Sequence, residues 1–202
     1  TGDIFMKNRE AKIARKTNET DISISLNLDG TGKREIETPV GFLNHMLDLF
    51  AKHGLFDLAV KAKGDTYIDE HHTVEDIGIV MGQAFAEALG DKRGINRYGF
   101  FILPMDEVLA TTAVDFAGRY AFYLKCDFTR EKVGDLSTEL VYDFWDAFAQ
   151  NAKVNLIIKV ENGRNDHHKI EAIFKATARA IRMACEINER VKDQIPSTKG
   201  KL

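Results

Sequence analysis

The sequence predicts an α+β fold built by tandem duplication: a small, mostly antiparallel sheet with two helices on one face, present twice. Three observations carry this. His71-His72-Thr73-Val74-Glu75 and His167-His168-Lys169-Ile170-Glu171 share the pattern His-His-x-x-Glu, 96 residues apart in a chain of 202. An offset of 98 carries the apolar helix positions Phe42, Leu43, Met46, Leu47 and Phe50 onto Leu140, Val141, Phe144, Trp145 and Phe148. The same offset carries Leu58 and Val60 onto Leu156 and Ile158. The repeats divide as 1–93 and 94–202, the second with a C-terminal tail. Only Asp91–Asn96 lies between them, so they are expected to pack as one compact unit.

Each element has its own signal. Residues 10–16 and 21–28 read as strands, the second because Ile22, Ile24, Leu26 and Leu28 alternate with Ser23, Ser25 and Asn27. Asp29-Gly30-Thr31-Gly32 turns the chain, and a short strand follows near 33–37. A helix spans about 42–53 with Gly54 as its stop. Leu55–Val60 reads as a strand, Gly64-Asp65 as a turn, and Thr66–Ile68 as a returning strand. The first histidine helix runs to about Leu89, with Val74, Ile77, Met81 and Phe85 toward the core. In the second repeat Tyr98–Leu103, Leu109–Phe116, Tyr120–Cys126 and Val154–Val160 are strand-like. A helix on Leu140–Phe148 and a histidine helix to about Asn188 complete it.

Composition narrows the function. Hydrophobic residues make up 44% and charged residues 29%, ordinary for a globular protein. A net charge of −3 leaves no footprint for nucleic acid. No apolar run reaches the roughly 18 residues of a membrane span, and the amino-terminal stretch has no signal-peptide core. Cys126 and Cys185 are too few for a disulfide framework, so buried thiols and a cytoplasmic location are expected.

The histidine pairs carry the chemistry. Four of the six histidines lie in them. Residues four apart share a helix face, so His71 with Glu75, and His167 with Glu171, can each reach one metal ion. His72 and His168 are turned away by about 100° and serve a different ion. The repeat adds His45 and its counterpart Asp143 on the preceding helices. Imidazole with carboxylate suits zinc, manganese, iron or nickel.

Phe42-Leu43-Asn44-His45-Met46-Leu47, Lys52-His53-Gly54-Leu55-Phe56-Asp57, both histidine motifs with their flanks, and Pro196-Ser197-Thr198-Lys199-Gly200 together resemble the imidazoleglycerol-phosphate dehydratases of histidine biosynthesis. The likeness runs through nearly the whole chain. It implies a hydro-lyase that converts D-erythro-imidazoleglycerol phosphate to imidazole-acetol phosphate and water. It further implies two manganese ions per subunit, at contacts within a homo-oligomer of 24 copies. One ion would take His45, His72, His167 and Glu171; the other would take His71, Glu75, His168 and Asp143. Family members usually carry His at the last position, so the shorter, harder Asp143 is expected to weaken the second ion or change its preference. Glu19, His53, Arg97, Arg119, Ser197 and Lys199 would contact substrate, the cationic groups meeting its phosphate.

The proton to be removed is not beside a carbonyl, so two Lewis acids on the imidazole ring would provide the electron sink. A carboxylate must move the proton; Glu171, Glu75 and Glu19 are the candidates, with Glu171 favoured. A two-metal phosphoester hydrolase and a metal-stabilised shell without catalysis compete with this reading. Release of free phosphate would mark the first, and indifference to an imidazole phosphate the second.

Overall fold

Alternating side chains build the first sheet. In the computed structural model, which describes residues 9–202, Ile22, Ile24 and Leu26 are at most 2% exposed and point one way. The stretch read for a signal-peptide core falls mostly on residues 1–8, outside the described residues. The first repeat comprises β1 (Glu10–Lys16), β2 (Thr20–Asn27), β3 (Arg34–Glu37), α1 (Gly41–Gly54), β4 (Asp57–Gly64) and α2 (His71–Leu89). The second comprises β5 (Tyr98–Met105), β6 (Val108–Asp115), β7 (Ala121–Lys125), β8 (Lys132–Val133), β9 (Leu136–Ser137), α3 (Leu140–Ala152), β10 (Asn155–Asn162) and α4 (Asp166–Cys185).

The duplication is visible in the pairing. The sheets run β1-β2-β4-β3 and β5-β6-β10-β7. In each, the last strand lies parallel to its neighbour and the other pairings are antiparallel. Leu58 and Leu156 hold matching places: Leu58 lies between Leu26 and Arg34, Leu156 between Val114 and Phe122. The crossing helices α1 and α3 join the parallel strands, as βαβ topology requires.

The two repeats exchange helix partners. α2 covers β1 and β2 of its own sheet but packs on α3, while α4 covers β5 and β6 and packs on α1. One aromatic cluster crosses between them: Trp145 lies 5.9 Å from Phe50 and 4.8 Å from Phe174, and Phe85 lies 5.4 Å from Phe148. Such contacts hold the helix N-termini, where the histidines sit, in fixed relation. The α2–α3 approach depends on glycine, because a Cβ on Gly78 would sit 2.5 Å from the carbonyl oxygen of Phe144. Gly78→Ala is therefore expected to cost about 1–3 kcal/mol in a urea unfolding curve, as overpacked sites do. An unchanged midpoint would show that the two helices can move apart freely.

Three boundaries differ from the sequence reading. Thr66–Ile68 is a turn and not a returning strand; Ile68 N–H donates to the Asp65 carbonyl, so the chain enters α2 directly. Leu55 does not start a strand but caps α1 in the left-handed region at φ 56°, its N–H bonded to Ala51 O. α4 stops at Cys185 because Ile187 forms a bridge with Ile95. The hairpin β8–β9 had no counterpart in the apolar pattern; its strands are only two residues each.

Candidate active site

An Asp69 turn before α2 and the Asn165 cap of α4 put the histidines at helix starts. Asp69 Oδ1 accepts from His71 N–H at 2.9 Å, and Asn165 Oδ1 accepts from His167 N–H at 2.9 Å. From there the four-residue spacing acts. His167 Nε2 lies 3.1 Å from Glu171 Oε2, and His71 Nε2 lies 3.7 Å from Glu75 Oε2. The α1–α4 contact brings His45 Nε2 to 3.6 Å from the same Glu171 oxygen. Phe42 closes one side, its ring 5.0 Å from that of His167.

His45, His167 and Glu171 thus offer three ligand atoms within 4.8 Å of one another. A divalent ion with bonds near 2.1 Å needs its ligands roughly 3–3.5 Å apart, so small rotamer shifts suffice. Glu171 is 7% exposed. Burial favours its neutral form, but the Lys175 ammonium bonded to it, then His167 and His45, hold its carboxyl below the usual range. Lys175 escaped the sequence reading, although its place four residues after Glu171 was a readable signal.

The second histidine of each pair faces elsewhere, as the helix-face argument requires. His72 Nδ1 lies 3.0 Å from Asp65 Oδ2 and 3.8 Å from Glu19 Oε2, and the Asp65 bond with the Glu19 charge raises its pKa. The other oxygen of Asp65 is buried without a partner, which leaves this group one ligand atom to spare. His168 Nδ1 lies 2.9 Å from Glu107 Oε2, and its Nε2 lies 3.4 Å from Asp106 Oδ2. That His168 bond and backbone N–H groups hold Glu107 down at about 2. One chain therefore gathers three of the four residues of one expected ligand set, and His71 with Glu75 of the other. Asp143 is half-buried in the first turn of α3.

The expected substrate contacts divide. Glu19 stands on the β1–β2 turn beside His72. His53 is half-buried near the end of α1; burial, then Lys175 and Arg179, lower its pKa. The others lie at the far end of α4. Arg97 N–H donates to Ala184 O at 2.9 Å, and its guanidinium is forked onto Asp115 and bonded to Pro196 O at 2.9 Å. Leu202 packs its backbone on Gly118, next to the exposed Arg119. Ser197 and Lys199 are bracketed between these anchors, and Ser197 Oγ accepts from Lys199 N–H at 3.2 Å.

Known proteins match this arrangement throughout its length. The family model described as imidazoleglycerol-phosphate dehydratase matches residues 38–181. The chain is 56% identical to the imidazoleglycerol-phosphate dehydratase of Rhodopirellula baltica, over 96% of both chains. It is 57% identical to that of Geobacillus kaustophilus, over 96% of this chain and 99% of the relative. The crystal structure of the Staphylococcus aureus dehydratase superposes with a TM-score of 0.81 at 41% identity, covering 89% of this chain and 99% of that one. The Pyrococcus furiosus enzyme gives 0.81 at 33% identity, covering 94% and 100%. With two histidine helices in matched frames and relatives of this identity, the chain belongs to the imidazoleglycerol-phosphate dehydratase family, a family of hydro-lyases.

Proposed function

We propose that this chain removes water from D-erythro-imidazoleglycerol phosphate to give imidazole-acetol phosphate, with two manganese ions per subunit held where copies meet. The observation that carries the reading is the group His45, His167 and Glu171: three convergent ligand atoms, with the fourth expected member, His72, on another face of the same chain. A neighbouring copy's exposed histidine face can complete it. The second ion is assigned to His71, Glu75, Asp143 and His168 on the same logic. When bound, the ions supply Lewis acidity at the nitrogens of the substrate ring.

The chain's own groups do the rest. We assign Arg119, Ser197 and Lys199 to the phosphate, while Arg97, held by Asp115, ties the tail that carries two of them. A carboxylate takes the proton from the carbon bearing the retained hydroxyl, and the hydroxyl beside the ring takes up a proton and leaves as water, so that the two losses sum to one water. The resulting enol becomes the ketone when it gives up its hydroxyl proton and a proton reaches the carbon next to the ring. We assign the first proton to Glu19 in preference to Glu171, because Glu171 is already engaged by Lys175, His167 and His45. Glu19 is exposed and lies 3.8 Å from His72, so it accompanies that histidine to any shared site.

Assembly of copies is supported by the surface. The outer face of the second sheet shows Tyr98, Phe100, Ile102, Tyr123 and Ile157, all at least 37% exposed, where the first sheet shows Lys12, Ser25, Lys61 and Lys63. A contiguous apolar face of this kind marks a protein contact. We read the assembly as a homo-oligomer of 24 copies on the family pattern, acting in the cytoplasm; no helix among the described residues is long and apolar enough to cross a membrane.

Metal-stripped protein titrated with manganese, with turnover of imidazoleglycerol phosphate and molecular mass followed together, tests the proposal. Activity and mass should rise together toward two ions per chain, with no free phosphate released. Assembly without turnover would leave a shell whose metals are structural, and phosphate release would mark a hydrolase.

A further inference from the structure

The two repeats differ most between the parallel strand and the crossing helix. Three residues, 38–40, join β3 to α1, whereas fourteen, 126–139, join β7 to α3. The extra length forms the β8–β9 hairpin, and three carboxylates tie this segment to the other helices. Asp135, at the hairpin turn, accepts from Gly41 N–H at 2.6 Å and from Phe42 N–H at 2.8 Å. It thereby caps α1, whose own cap position is Val40. Glu70, one residue before α2, accepts from Ser137 N–H at 2.8 Å and from Lys132 Nζ at 3.0 Å. Asp166, the first residue of α4, accepts from Thr129 N–H and Arg130 N–H, both at 2.8 Å. The segment then runs directly into α3.

Two features make this more than loop packing. Glu70 and Asp166 stand 96 residues apart, each immediately before its histidine pair, so the duplication has placed a buried carboxylate at the same point twice. Both turn to the one segment that only the second repeat possesses. Each is a buried anion whose partners come largely from that segment, so displacing the segment would leave the charge unsatisfied. The first turns of all four helices carry or adjoin every candidate ligand: His45 on α1, His71, His72 and Glu75 on α2, Asp143 on α3, and His167, His168 and Glu171 on α4.

We propose that residues 126–139 form a clasp that sets the four helix N-termini in the arrangement needed to capture metal, with Asp135, Glu70 and Asp166 as positioning residues. The inference rests on the metal-binding reading above. Groups that orient ligands without touching the ion alter affinity by about 10–100-fold when removed.

Manganese binding to the purified full-length protein, followed by the electron paramagnetic resonance of free ion, provides the test. Asp135→Ala should weaken binding by about 10–100-fold in a protein whose circular dichroism stays that of the wild type. Asp135→Asn keeps an oxygen acceptor and should stay near wild type. Asp57→Ala is the matched control, because Asp57 also accepts two backbone N–H groups, from Thr31 at 2.8 Å and Lys33 at 2.9 Å, away from the clasp. It should lower the melting temperature and leave manganese affinity unchanged. Wild-type affinity in Asp135→Ala, or equal weakening in Asp57→Ala, overturns the clasp while leaving the metal reading standing. Wild-type protein that binds no manganese overturns both.

Discussion

Glu19→Gln is expected to lower kcat by about 10²–10⁴-fold, the usual range for a lost general base, with manganese content unchanged. Thr17 Oγ1 accepts from the N–H groups of Glu19 and Thr20 at 3.1 and 3.0 Å, which fixes the turn that carries Glu19. The amide is nearly the same size as the carboxylate, so the turn and the nearby His72 should be undisturbed. Glu171→Gln should behave differently. Its oxygens face Lys175, His167 and His45, and a neutral amide there removes the anion that all three require. Both metal content and turnover should fall, and the Lys175 ammonium, 16% exposed, is left without its counter-charge. Measuring metal stoichiometry beside kcat separates the two carboxylates. Should Glu171→Gln keep its metal and lose turnover while Glu19→Gln turns over normally, the proton belongs to Glu171, the residue favoured from the family resemblance.

The difference between those expectations shows where the sequence stops being informative. His71 with Glu75 and His167 with Glu171 were legible because a helix places residues four apart on one face, a relation that needs nothing beyond the local chain. His45 was legible through the duplication, which singled out one position on α1 and its partner on α3. That Lys175 already neutralises Glu171 was open to the same local rule. The clasp was not legible. Asp135 reaches Gly41 across 94 residues and Glu70 reaches Ser137 across 67, and in both the partner is a backbone N–H that leaves no trace in residue identity. The Thr66–Ile68 strand failed for a related reason. Three β-tolerant residues cannot show whether a neighbouring strand is there to receive them, and here the edge position beside β4 is taken by β3. The separation of the phosphate-binding candidates from the metal ligands was equally invisible, because it depends on which end of α4 the tail meets.

That separation leads to the second large effect. Arg97 is bonded to Ala184 near the end of α4, while His167 opens the same helix. At 1.5 Å of rise per residue the two ends lie about 25 Å apart. An imidazole and a phosphate joined by three carbons span under about 10 Å at roughly 1.5 Å per bond. On the proposed assignments, with the tail that Arg97 ties at that end of α4 binding the phosphate, a working site would take its metal ligands and its phosphate receptor from different copies. Arg119→Ala alone should lose roughly 10–100-fold in kcat/KM, the worth of charge-assisted bonds to phosphate, and His45→Ala should lose its metal and nearly all turnover. Stripped of metal, mixed in equal amounts and reassembled with manganese, the two impaired proteins should recover activity above their average, because random pairing in a symmetric assembly rebuilds about a quarter of the sites from two intact halves. Mixing without prior disassembly should recover none, which controls for residual activity of either parent. If both halves of the site belonged to one chain, every site in the reassembled mixture would carry a lesion and activity would stay at the average of the two variants. Recovery would instead make assembly a condition of catalysis, since a lone copy would hold at most one end of its substrate.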